Sequence, residues 1–156
     1  MARIHYATPA QLAELMHQSG LPKNTPPTNA FRMLAHAPTV SAQALRLVLT
    51  LLTETDLDPT LRELVILRVA QRCGGRYAWV QHVDIAAIVG VNDAQIEALE
   101  RGETPANLFS DRERTAFAFV DEALDTCRAE DDTFAAVRDM FSTGEVLELL
   151  LLFTSR

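Results

Sequence analysis

Apolar residues recur along this chain at intervals of three and four, the period of an α-helix, and no stretch alternates as a half-buried strand would. Residues 1–7 lack the pattern and are expected to be extended. Thr8-Pro9 is a cap followed by proline at the first helical position, which predicts a short helix to about Gln18, ended by Gly20. The segment LPKNTPPTN, at 21–29, holds three prolines and reads as a loop or as an arm that crosses the surface or reaches a neighbouring chain. Asn29 is expected to cap a helix over 30–37, stopped by Pro38. Leu45, Val48, Leu49 and Leu52 mark the next helix, over 41–53, and Asp58-Pro59 opens the one after it.

Later elements are equally well punctuated. Asn92 caps DAQIEALERG, which Gly102 closes, and ETPANLFS is a loop. Ser110 and Glu113 form a capping box for a long helix through Arg128. Its stripe of Ala116, Phe117, Val120, Ala123 and Leu124 should pack on the middle of the chain. Asp131 or Asp132 begins a helix over TFAAVRDMF, Gly144 interrupts, and 145–153 reads as a final buried helix. The expected fold is all-α, with about seven or eight helices and no internal repeat. Residues 1–28 are read as an N-terminal helix and proline-rich arm, and 29–156 as a helical domain, the whole forming one compact domain.

The middle of the chain, LRELVILRVAQRCGGRYAWVQHVDIAAIVG, predicts two buried helices, over roughly 61–73 and 76–89, joined at Gly74-Gly75. At about 100° per residue, Glu63 shares a face with Ile66, Leu67 and Ala70, while Arg68 and Arg72 point elsewhere. His82 shares its face with Ala78, Trp79, Ile85, Ala86 and Val89; Arg76, Gln81 and Asp84 lie off it. A carboxylate and an imidazole on inward faces are costly unless they pair or bind something. The plainer reading stands beside this one: a His on an apolar face is more often a satisfied core residue, and a buried Glu is usually paired, here with Arg68 or Arg72. The glycine pair alone is weak support for phosphate binding, and a sharp helix-to-helix turn accounts for it.

RELVILRVA, a tight turn and then YxWxxHVxxAxxxGV resemble the central motif of the carboxymuconolactone decarboxylase family, which includes the alkylhydroperoxidase D relatives. NAFRMLAHAPTV, before the long helix, resembles the family too, so the likeness covers about residues 29–153. In the thiol peroxidase branch a Glu precedes a Cys-x-x-Cys-x-x-x-His run by a spacing that places Glu and His nineteen positions apart, and Glu63 and His82 keep it. The two cysteine positions of that run are Gly75 and Ala78 here, and Cys73 lies two places too early with no cysteine three residues on. That departure removes the branch's redox pair and leaves a likeness to the decarboxylase branch, where an aromatic pair, here Tyr77 and Trp79, often precedes the His. The resemblance implies an alkylhydroperoxidase D-like helical bundle and catalysis by His82 and Glu63. It also implies a substrate site among Trp79, Tyr77, Ala78 and Gly75, no cofactor, and a homo-oligomer, trimer or hexamer, with sites near subunit interfaces.

Composition narrows the partners. At 156 residues, 48% hydrophobic and 22% charged, the chain is long enough to bury a sizeable core. Its net charge of −7 argues against nucleic-acid or anionic-membrane partners, which call for a basic surface. Cys73 and Cys127 make neither a zinc spacing nor a disulfide framework, and one His with one Glu supplies too few ligands for a metal. The first fifteen residues lack a signal-peptide core and the apolar run 149–153 is too short to span a bilayer, so a cytoplasmic protein is expected.

Three functions follow as expectations. The first is a cofactor-independent lyase or isomerase for a small carboxylated lactone or conjugated acid. His82 would be its acid/base, and Glu63 would orient it or hold a proton itself. By projection Trp79 is the better pocket residue and Tyr77 the poorer; His36 is a further candidate that more often would be ordinary surface. The second is a non-catalytic binding or scaffold protein on the same fold. The third is a degenerate thiol peroxidase relying on Cys73.

Overall fold

Most helix starts in this protein are set by side chains that bond the first unpaired amides. In the computed structural model, residues 3–21 and 25–154 are described, so Pro22, Lys23 and Asn24 of the expected arm lie outside them. Among the described residues there are nine helices and no strand. They fall into two compact units, Met1–Glu54 and Thr55–Arg156. The first unit closes at Glu54, because the helix before it packs on the N-terminal one.

In the first unit, α1 (Pro9–Ser19) starts on a Thr8–Gln11 capping box and ends on Gly20 at φ 73°. Helix α2 (Asn29–Leu34) is capped by Thr28, whose hydroxyl accepts from Phe31 N–H, so Asn29 is its first residue and not its cap. Helix α3 (Pro38–Thr53) begins at Pro38: the proline lacks an N–H that the first turn does not use, and it starts this helix three residues before the expected position. Leu15, Leu21, Ala35, Ala42 and Leu45 form the core of this unit.

The second unit is built around α4 (Pro59–Arg72). Asp58 caps it, accepting from Thr60 N–H at 2.9 Å and Leu61 N–H at 3.1 Å. Around it lie α5 (Arg76–Ile88), α6 (Asp93–Glu100), α7 (Asp111–Thr126) and α9 (Thr143–Thr154), all packed on α4, while α8 (Asp131–Met140) packs on α7 and α9. Surrounded on several sides, α4 buries Leu61, Leu64, Val65, Leu67, Val69 and Ala70, at about 1.5–3 kcal/mol for each fully buried large aliphatic. Two of its arginines are sent to α7: Arg68 forks onto Asp121 and also donates to Gly102 C=O at 3.0 Å, and Arg72 reaches Asp125 at 2.5 Å.

In the second unit two boundaries also differ from the periodicity reading. Helix α7 stops at Thr126 on Cys127, which takes φ 58°, two residues short of Arg128. Gly144 does not interrupt α9. It lies inside the first turn, because Ser142 and Glu145 exchange bonds as a capping box, Glu145 N–H donating to Ser142 Oγ at 3.2 Å and Ser142 N–H to Glu145 Oε2 at 2.8 Å. No helix of the described residues is long and apolar enough to cross a membrane.

Candidate functional site

The α4–α5 turn places Glu63 and His82 opposite one another. Cys73 ends α4, Gly74 takes φ 63°, and Gly75 N–H donates to Ala70 C=O at 2.7 Å. A Cβ built on Gly75 would lie 3.4 Å from the Ala70 oxygen, at the edge of ordinary contact, so the chain folds back closely here. Helix α5 then returns along α4. His82 Nδ1 meets Glu63 Oε2 at 2.8 Å, the one bond that joins the two ionisable groups of the motif.

Burial differs sharply between the partners. The Glu63 side chain is 1% exposed and the His82 side chain 18%. Arg62, itself 8% exposed, places its Nε 3.5 Å from Glu63 Oε1, so the buried carboxylate lies between a guanidinium and an imidazole. Neither Arg68 nor Arg72 is its partner, because both are held by Asp121 and Asp125. An ionised Glu63 takes the Nδ1–H of His82 and so selects the tautomer whose Nε2 has a free lone pair. Among the described residues no hydrogen bond engages that Nε2. The arrangement can therefore accept a proton at Nε2 and return it, with Glu63 stabilising the imidazolium between the two steps.

The other candidates divide. Gly75 and Ala78 are half-buried and lie seven and four residues before His82, on the stripe that leads to it. Trp79 is buried, 7% exposed, as its place on the His82 face predicts. Tyr77 is 49% exposed and lies on the outer side of α5. Ile85, projected inward, is 39% exposed, because α4 covers a narrower band of α5 than the full apolar stripe. His36 bonds the His5 carbonyl at 2.8 Å within the first unit.

Trp79 also lines a cavity of about 230 Å³ with Ala70, Gln71, Gly74, Arg76 and Glu100, and neither Glu63 nor His82 is among its walls. Sequence reasoning did not single out Arg62 or Gln71. Arg62 lies 100° round the helix from Glu63 and reaches it only by bending along the surface of α4, which periodicity does not register. Gln71 carries no local signal, since its neighbours come from α5 and α6. Among the described residues no three His, Cys, Asp or Glu side chains converge as a metal site. Cys73 and Cys127 are exposed at the ends of α4 and α7.

The carboxymuconolactone decarboxylase family profile matches residues 38–122, a span that includes Glu63, the turn and His82. A crystal structure of an Agrobacterium tumefaciens protein of unknown function, proposed as the antioxidant defence protein AhpD, superimposes with a TM-score of 0.70. At 20% identity over 83% of this chain and 86% of that one, the likeness speaks for the fold. Comparison with curated proteins returned no match.

Proposed function

The chain belongs to the carboxymuconolactone decarboxylase family, and from that premise we propose that it is a cofactor-independent lyase or isomerase acting on a small carboxylated lactone or conjugated acid. The observation that carries the reading is the 2.8 Å bond from His82 Nδ1 to a sealed Glu63, which leaves Nε2 on the more accessible side. In decarboxylation the bond to the carboxylate carbon breaks, carbon dioxide leaves, and the electron pair moves into the conjugated carbonyl of the substrate. His82, which has taken a proton from solvent at Nε2, then delivers it to the carbon left behind and is neutral again. In isomerisation the same nitrogen first removes a proton and then returns it one conjugated position away. Glu63 acts as a positioning residue: it holds the ring and compensates its charge.

Gly75 and Ala78 stand where the thiol branch of the family has cysteines, and the reading assigns these small residues to the substrate site. Trp79 backs His82 one turn earlier, and Tyr77, on the outer side of α5, is the weaker contact. The reading includes a homo-oligomer, trimer or hexamer. Val80, Ile85 and Ile88 on α5 support it, since they are 50%, 39% and 84% exposed and apolar.

The test follows ultraviolet absorbance and carbon dioxide release from carboxymuconolactone with wild type and His82→Ala, with peroxide and a thiol reductant in parallel. Lactone turnover that requires His82 and ignores thiols is the expected result. Undiminished turnover by His82→Ala, or peroxide consumption that Cys73→Ser removes, would overturn the reading.

A further inference from the structure

Two arginines of α4 are almost equally enclosed, Arg62 at 8% exposed and Arg68 at 7%, yet their guanidinium groups are used very differently. Arg68 engages every nitrogen of its fork: Nε and Nη2 donate to the two oxygens of Asp121 at 3.0 and 2.5 Å, and Nη1 donates to Gly102 C=O at 3.0 Å. Arg62 has a single bond, from Nε to Glu63 Oε1, and at 3.5 Å it is long for a charged pair. Among the described residues nothing accepts from its Nη1 or Nη2, and no other carboxylate pairs with it. Neither nitrogen is sealed off, because among the described residues the fully enclosed side-chain atoms without a partner are Gln71 Oε1 and Arg114 Nε alone. A fixed cation therefore keeps the unused half of its fork on a surface that a small molecule can reach.

That fork stands beside the Glu63–His82 pair. Glu63 meets Arg62 through Oε1 and His82 through Oε2, so the guanidinium and the imidazole flank one carboxylate. A buried guanidinium with unused donors is unfavourable until an anion completes it, and its parallel N–H groups match the two oxygens of a carboxylate. We propose that Arg62 binds the substrate of this site, and that it holds a carboxylate which the substrate keeps through the reaction. The inference rests on the reading of the site as a lyase or isomerase and narrows its substrate. A cation on the departing carboxylate would stabilise a charge that the transition state gives up, and would slow the loss of carbon dioxide. A substrate that is decarboxylated is therefore a dianion: one carboxylate leaves, and a second, on another carbon, stays on Arg62. A substrate that is only isomerised needs the second one alone. Arg62, Glu63 and a neutral His82 together carry no net charge, so the bound anion also favours the protonated ring that delivers the proton. No bond is made or broken at Arg62.

The probe is a saturated γ-lactone with a carboxymethyl arm, which has neither a carboxylate on its ring nor a conjugated carbonyl, and its methyl ester is the uncharged control. Calorimetry measures the affinity of the full-length protein for both. The acid is expected to bind saturably and about tenfold more tightly than the ester, the worth of a hydrogen bond to a charged group. Arg62→Met should remove that preference, while Arg62→Lys, which keeps the charge and loses the fork, should retain part of it. His82→Ala should keep the preference, since it leaves Arg62 in place. Circular dichroism checks the folding of each variant. With carboxymuconolactone as substrate, Arg62→Lys should raise KM about tenfold and change kcat far less. An Arg62-dependent preference for the acid without any lactone turnover would sustain the anion site and remove the proposed reaction. Turnover that needs His82, combined with equal affinity for acid and ester, would sustain the reaction and overturn this proposal. A preference that both Arg62 variants leave unchanged, or no binding of the acid by the wild type, would overturn it as well.

Discussion

Helices α4 and α5 pack against each other and supply one half each of the Glu63–His82 pair, yet they live in different surroundings. Nine of the 14 residues of α4 are buried, against two of the 13 of α5, so α4 is held from several sides and α5 mainly from one. The carboxylate belongs to the enclosed helix and the imidazole to the open one. That division suits an acid/base pair. In the proposed reaction Glu63 is the group that stays fixed, and it is sealed and held by neighbours; His82 is the group that meets the substrate, and it keeps part of its ring accessible. The same contrast appears at the helix starts, since α4 begins on the Asp58 cap and α5 on Gly75 with no side-chain cap.

Five substitutions probe that contrast. The largest effect is expected from His82→Ala, which should lower lactone turnover by about 10²–10⁴-fold, the usual loss of a positioned acid/base. Its melting temperature should also fall, because the sealed Glu63 loses its 2.8 Å partner and keeps only Arg62 at 3.5 Å. Glu63→Ala removes the partner of a buried Arg62 and of His82, and should cost about 3–5 kcal/mol in urea unfolding as well as activity. Leu64→Ala, at a position with no exposure, should cost about 2–5 kcal/mol with no direct effect on the chemistry. A cost below about 1 kcal/mol there would mean that α4 is not the enclosed helix described here.

The smaller effects test the ends and the outer face. Asp58→Ala should cost about 1 kcal/mol, because two first-turn amides of α4 lose their acceptor. Ile88→Lys, on the open face of α5, should leave the stability of a monomer within about 0.5 kcal/mol. If the exposed side of α5 joins copies of the chain, the same variant should lower the mass measured by light scattering. An unchanged mass would remove α5 from the proposed assembly.

Much of this architecture could be read from the chain because it is locally encoded. Thr8-Pro9, Asp58-Pro59, Asn92 and Ser110-x-x-Glu113 cap the helices that they were expected to cap, since a cap bonds amides two or three residues away. The starts that were misplaced fail for the same reason in a subtler form. Thr28 competes with Asn29 as a cap, Pro38 begins α3 after α2 has already ended at Leu34, and Ser142-x-x-Glu145 is a capping box beside Gly144.

The nineteen-residue spacing of Glu63 and His82, the glycine turn between them and the burial of Trp79 over Tyr77 were likewise determined by the sequence itself. Each follows from helical periodicity and one tight turn. The choice of partners was decided only by tertiary structure. Arg68 and Arg72 go to Asp121 and Asp125, fifty residues away on α7, leaving Glu63 to Arg62 and His82. The cavity around Gln71 exists because α4, the turn and α6 meet there. Periodicity specifies which way a side chain points, but the group that it meets depends on how distant helices are packed, and no local pattern contains that information.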